Sequence, residues 1–192
     1  MLDLNFENNL QPKQGYLLVA EPFMDSDYFK RSVILICEYN AEGSFGFVLN
    51  NYLDINFEDF SEELIKIDSR ISIGGPVDVK NLFYIHTLGE KIPNSIKVSD
   101  KIFIGGDYEV LIEQLKSTPN PETKVRFFLG YSGWSKNQLD DEIAEKSWIV
   151  VKSDMTNLIM DTSKNNLWQK CLQELGGKYK MFSQIPVNPN NN

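Results

Sequence analysis

The sequence predicts an α+β fold, and two observations carry that reading. Strand-like segments crowd the early part of the chain, and helical segments interrupt them irregularly. A steady βαβα rhythm, which would indicate a doubly wound parallel sheet, is absent. The length of 192 residues, with 42% hydrophobic and 24% charged, suits one domain over 1–192 with a substantial core.

The elements follow in order. Gly15 to Ala20 reads as a short buried strand closed by Glu21-Pro22, and Asp25 to Lys30 as a single helical turn. Ser32 to Tyr39 is β-branched and apolar, the pattern of a central strand. Turn residues at Asn40 to Gly43 and a second strand at Ser44 to Leu49 predict a hairpin. A helix is expected over Phe57 to Ile67, then short strands at Arg70 to Ile73 and Leu82 to Thr87. Strand material lies in Ile96 to Ile104, a helix over Tyr108 to Lys116 and a strand over Val125 to Leu129. Gly130 to Trp134 is expected to turn into a helix from Ser135, followed by a strand at Trp148 to Lys152. A helix around Asn165 to Leu175 and a disordered tail at Pro186 to Asn192 complete the prediction.

Charge narrows the partners. Net charge is −8, and residues 162–192 alone carry +3, leaving −11 on residues 1–161. Such a surface repels phosphate backbones, so direct nucleic-acid binding is disfavoured. No apolar run is long enough to cross a bilayer, and the first residues lack a secretion-signal pattern. Cys37 and Cys171 each sit in an apolar run and read as reduced buried thiols, so a cytoplasmic location is expected.

The stretch FFLGYSGWSKNQLDDEI at 127–143 invites comparison with a nucleophile elbow presenting Ser132. The motif fails: G-x-S-x-G requires a glycine where Trp134 stands, and the sole histidine, His86, precedes the serine. The same residues have structural uses. Ser135 and Gln138 fit a capping box, Leu139 and Ile143 share a helix face, and Asp140, Asp141 and Glu142 suit a helix start. His86 alternates with apolar neighbours and reads as a hydrogen-bonded structural histidine. One histidine without a close cysteine pair specifies no metal, and no phosphate-cradling glycine fingerprint occurs; no cofactor is expected. Arg31-Ser32 opens a strand and places a guanidinium at its edge.

Read in order, GYLLVAEP (15–22), FKRSVILICEYN (29–40), GSFGFVLN (43–50), GGPV (74–77), LFYIH (82–86) and FLGYSGWSKNQLDDEI (128–143) resemble the YqgE/AlgH family of bacterial cytosolic proteins. The resemblance spans roughly residues 13–152. It departs from the family pattern at Asn51-Tyr52, where Arg-Pro is usual, and at Tyr39, Ser132 and Asn137, where histidine, alanine and glycine are usual. It implies a strongly bent, barrel-like mixed sheet flanked by helices. It also implies a transcription-related role and no particular reaction. The signature positions suggest a ligand or partner surface of Arg31, Ser32, Asn50, Gly74, Gly75, His86, Tyr131, Trp134, Gln138 and Glu142. The leading expectation is a non-enzymatic regulatory or adaptor protein with a protein or small-molecule partner. The alternative is a small-molecule hydrolase or other enzyme using Arg31, Asn50, His86 and Glu142. That alternative requires at least three of these side chains to converge within about 3 Å of one substrate position.

Overall fold

The computed structural model describes residues 10–53, 67–152 and 155–185. The helix expected at Phe57 to Ile67, apart from Ile67, and the tail from Pro186 lie outside the described residues. Within them, nine strands form one sheet: β1 (Leu17–Ala20), β2 (Val33–Asn40), β3 (Gly43–Val48), β4 (Ser72–Ile73), β5 (Val77–His86), β6 (Ile96–Lys97), β7 (Phe103–Ile104), β8 (Val125–Ser135) and β9 (Trp148–Val151). Five α-helices accompany them: α1 (Tyr108–Ser117), α2 (Gln138–Ala144), α3 (Thr156–Met160), α4 (Leu167–Leu175) and α5 (Gly177–Phe182).

The path across the sheet is β6-β7-β5-β8-β3-β2-β1-β9, with β4 added in parallel to β8. All other pairings are antiparallel, so the sheet is mixed; it curls without closing. The α+β expectation holds.

The apolar run Val33 to Cys37 is buried throughout because both faces of β2 are covered. Val33, Leu35 and Cys37 join one core with residues from α3, α4 and α5. Ile34 and Ile36 point the other way, into a core with Trp134, Leu139 and Trp148. Each fully buried aliphatic side chain contributes about 2 kcal/mol, so β2 anchors both sides. A third core packs α1, through Leu111, Ile112 and Leu115, on Tyr84, Val125 and Phe127.

One expectation is overturned. Gly130 to Trp134 does not turn: β8 runs unbroken to Ser135 and pairs Gly46↔Ser132, Phe45↔Gly133, Ser44↔Trp134 and Gly43↔Ser135 with β3. The local glycine signal is real but has another use. Gly130 has φ +67°, and opposite it β5 carries four residues, Asp78 to Asn81, between the pairs Val77↔Tyr131 and Leu82↔Leu129. This bulge shifts the alternation of β8 by one residue. Before it, Phe128 faces the α4 core and Phe127 the α1 core; after it, Tyr131 faces the α4 core and Trp134 the α2 core. A Cβ on Gly130 would lie 2.7 Å from the carbonyl oxygens of Gly75 and Val77, so a side chain is excluded by space as well as by φ.

The capping box forms only in part, because the helix begins three residues later than expected. Gln138 Oε1 accepts the Ser135 N–H at 3.0 Å and the Ser135 hydroxyl at 3.1 Å, so the serine is used on glutamine instead of capping. The N-cap is Asn137, in the left-handed region at φ 63°. A left-handed backbone there accounts for glycine being usual at this position in the resemblance. Helices α3 and α5 carry no sequence-level expectation above; they are short and held by Ile159, Met160 and Phe182 in the α4 core.

Candidate functional site

The ten residues singled out by sequence divide into separate groups. Asn50 is a clamp: its Oδ1 accepts the Val33 N–H at 2.8 Å and its Nδ2 donates to the Arg31 carbonyl at 2.9 Å, fixing the start of β2. Arg31 takes φ 57° there and lays its guanidinium 4.9 Å from the centre of the Trp168 ring. Ser32 is buried beside it, and its carbonyl accepts the Ala20 N–H at 2.9 Å.

His86 lies at the far end of β5, fully buried and stacked on Phe103 with ring centres 5.8 Å apart. Its Nε2 is 3.1 Å from the Gly105 carbonyl, and Nδ1 accepts the Leu88 N–H. Both contacts are satisfied by the neutral ring with its proton on Nε2. Burial lowers its pKa from the usual histidine value, with the Gly105 contact opposing. Gly74 and Gly75 press on β8: a Cβ on Gly75 would overlap the Tyr131 carbonyl carbon at 1.9 Å. Ser132 is buried and donates to the Gly74 carbonyl at 3.1 Å, which gives its hydroxyl a structural use.

Trp134, Gln138 and Glu142 do come together. Glu142 Oε2 accepts both indole N–H groups, from Trp134 at 2.9 Å and from Trp148 at 2.7 Å, while Oε1 accepts Gln138 Nε2 at 3.0 Å. The carboxylate therefore ties α2 to β8 and β9. Beside it lies a cavity of about 590 Å³ bounded by Glu21, Met24, Phe29 and Trp148. Arg31, Asn50, His86 and Glu142 thus have their own partners in different parts of the fold, apart from Asn50 binding the Arg31 backbone.

Arg126, which no local sequence pattern marks, is fully buried in β8. Its guanidinium donates to the Leu49 and Ile159 carbonyls, and to Tyr52 Oη and Ser72 Oγ, both at 3.2 Å. Arg70 packs its guanidinium over the same Tyr52 ring, 3.6 Å from its centre. These contacts tie the chain around Leu49 to Leu53 to β4, β8 and α3. Burying a guanidinium among carbonyls costs desolvation that its hydrogen bonds offset.

On the face of β3 and β8 away from α2, a cleft of about 600 Å³ opens between β3, β5, β7 and β8. Its floor is Phe45, Phe83, Ile104 and Tyr131, half-buried on the α4 core. Phe45–Tyr131 and Phe83–Tyr131 meet edge-on at 5.8 and 5.7 Å, over the stacked pair Phe47–Phe128 at 4.4 Å. The Gly133–Trp134 stretch of β8 closes one side, and Glu38 and Glu42 rim the β2–β3 end. Of the ten expected residues, Tyr131 and Trp134 line this cleft. The bulge at Gly130 brings Tyr131 to it, which no local pattern foretells.

Among the described residues, no group of three or more His, Cys, Asp or Glu could hold a metal ion. None of their helices is long and apolar enough to cross a membrane.

A family profile described as AlgH-like matches residues 17–180. This chain belongs to the AlgH-like family. AlgH-like relatives, each described as a UPF0301 protein, occur in Parabacteroides distasonis (38% identity, covering 95% of this chain and 92% of the relative) and in Chlorobaculum parvum (35%, covering 94% and 96%). Two solved structures share the AlgH-like fold. A Corynebacterium diphtheriae protein superposes with a TM-score of 0.78 at 23% identity, covering 94% of this chain and 95% of that one. AlgH from Pseudomonas aeruginosa superposes with 0.69 at 22%, covering 91% and 95%.

Proposed function

We propose that this AlgH-like protein is a non-enzymatic regulatory or adaptor protein of the cytoplasm, docking a partner on the cleft floored by Phe45, Phe83 and Tyr131. The observation that carries the reading is the cleft itself. It is an aromatic-lined concavity of about 600 Å³, the kind of surface that binds by apolar burial. The polar candidates elsewhere in the fold support a non-catalytic role, since Ser132, His86 and Glu142 are each engaged in fold-building hydrogen bonds. A transcription-linked role would then run through a protein partner, because a net charge of −8 disfavours direct contact with phosphate.

The test is photocrosslinking in the producing bacterium. A benzoylphenylalanine placed at Val77, on the cleft edge, is expected to give a discrete covalent adduct. The same probe at Lys116 on α1 is expected to give none. Equal labelling, or none at position 77, sinks the proposal.

A further inference from the structure

Resting on the reading of that cleft as a docking surface, we infer that its occupant is a basic peptide segment of a partner protein. An apolar anchor would sit on Phe45, Phe83 and Tyr131, with a flanking lysine or arginine against Glu38 and Glu42. Charge is the first argument. Among the described residues, Glu38 and Glu42 are the charged ones in the cleft lining, and no lysine or arginine lines it. Asn40 donates to Glu38 Oε1 at 2.6 Å and its Oδ1 accepts the Glu42 N–H at 2.8 Å, so both acidic residues are tied to one turn at the rim. The chain as a whole carries −8, which adds attraction for a cation approaching from solution.

The floor has the same preference. Aromatic faces carry negative potential and attract a cation within about 6 Å of the ring centre. Carboxylates and ring faces therefore select one sign, and an acidic peptide would meet opposition from both. Shape selects a chain segment over a lone small amine. Val77, 39% exposed, carries the apolar lining to the cleft edge, and Val79, 48% exposed, follows two residues along β5. The ridge that carries them is preshaped: Asp78 takes φ 55°, and its carboxylate accepts Asn81 Nδ2 at 2.8 Å on each oxygen.

The experiment pans a random dodecapeptide phage library on the full-length chain and measures the best peptide by fluorescence polarisation. Recovered peptides are expected to place Lys or Arg beside Leu, Phe or Trp. Glu38→Lys combined with Glu42→Lys is expected to weaken binding about tenfold, and Val77→Asn and Tyr131→Ala to weaken it too. Glu113→Lys on α1 leaves it unchanged. Peptides without basic residues, or binding that survives the double charge reversal, overturn the inference. If binding still falls with Val77→Asn, the cleft stands and only its cationic preference is lost. If Val77→Asn and Tyr131→Ala both leave binding unchanged, the docking reading fails as well. Recovery of no peptide overturns the inference, while crosslinking at position 77 decides the cleft separately. Val77 is exposed, so its substitution keeps the test interpretable should Tyr131→Ala not fold.

Discussion

The two faces of β8 beyond Gly130 differ in how completely they are finished. On the face covered by α2, Trp134 and Trp148 are 7% and 2% exposed, and both indole N–H groups end on Glu142. On the opposite face Tyr131 stays half-buried, with Phe45 and Phe83, on the floor of a cleft. The same strand thus contributes a sealed joint on one side and an unfilled aromatic floor on the other. Sealing that face uses both indole donors and the Glu142 carboxylate for the fold. Leaving one open reserves apolar area whose burial only a partner can complete.

Four substitutions and one control test that contrast. The largest effect is expected for Gly130→Val, which forces a branched side chain into a left-handed backbone 2.7 Å from two carbonyl oxygens. A loss of about 3 kcal/mol in urea unfolding is expected. Gly105→Ala, also at positive φ but with nothing within 4 Å, is the control and costs about 1 kcal/mol. Equal losses at the two sites would mean that the close crossing at Gly130 contributes little.

Next comes Glu142→Leu, which removes the acceptor of two indole donors and leaves them unpaired in the sealed face. The expected loss is about 2 kcal/mol, with a shift in tryptophan emission. An unchanged midpoint would show that α2 is held by Leu139 and Ile143 alone.

A third effect is pH-dependent. Burial lowers the His86 pKa below its unfolded value, so the unfolded chain takes up the proton first as pH falls. The stability linked to His86 is therefore full above the unfolded histidine pKa and declines as pH falls through it toward the folded value. His86→Asn is expected to flatten that part of the stability–pH curve relative to the parent, read as the difference in urea midpoints. A parallel pair of curves would place the titration elsewhere.

The smallest effect belongs to the open face. Val77→Asn changes an exposed side chain at the cleft edge and is expected to alter stability by no more than about 0.5 kcal/mol. A larger loss would assign the cleft edge to the fold and remove its claim as a free surface.

Much of the fold was legible in local pattern. The all-buried Val33 to Cys37, the turn at Asn40 to Gly43 and the amphipathic Tyr108 to Lys116 became β2, the β2–β3 hairpin and α1. The failure at Gly130 to Trp134 has a physical cause. A glycine demanded by a turn and a glycine demanded by a bulge look identical in one dimension, because both supply φ > 0. Arg126 escaped for a similar reason: its partners, the Leu49 and Ile159 carbonyls, are distant in sequence. Of the candidate surface, Gln138 and Glu142 were readable as a helix start, whereas their closure on Trp134 and Trp148 required the strand and helix to meet.

The sequence alone determined the α+β class, the buried strands and the acidic surface, since each depends on composition or short-range periodicity, and its ordered motifs carried the family resemblance. The tertiary structure decided which face Tyr131 takes and which rings join it at the cleft. Those outcomes depend on strand register, and one left-handed glycine opposite a bulge reverses the facing of every residue after it.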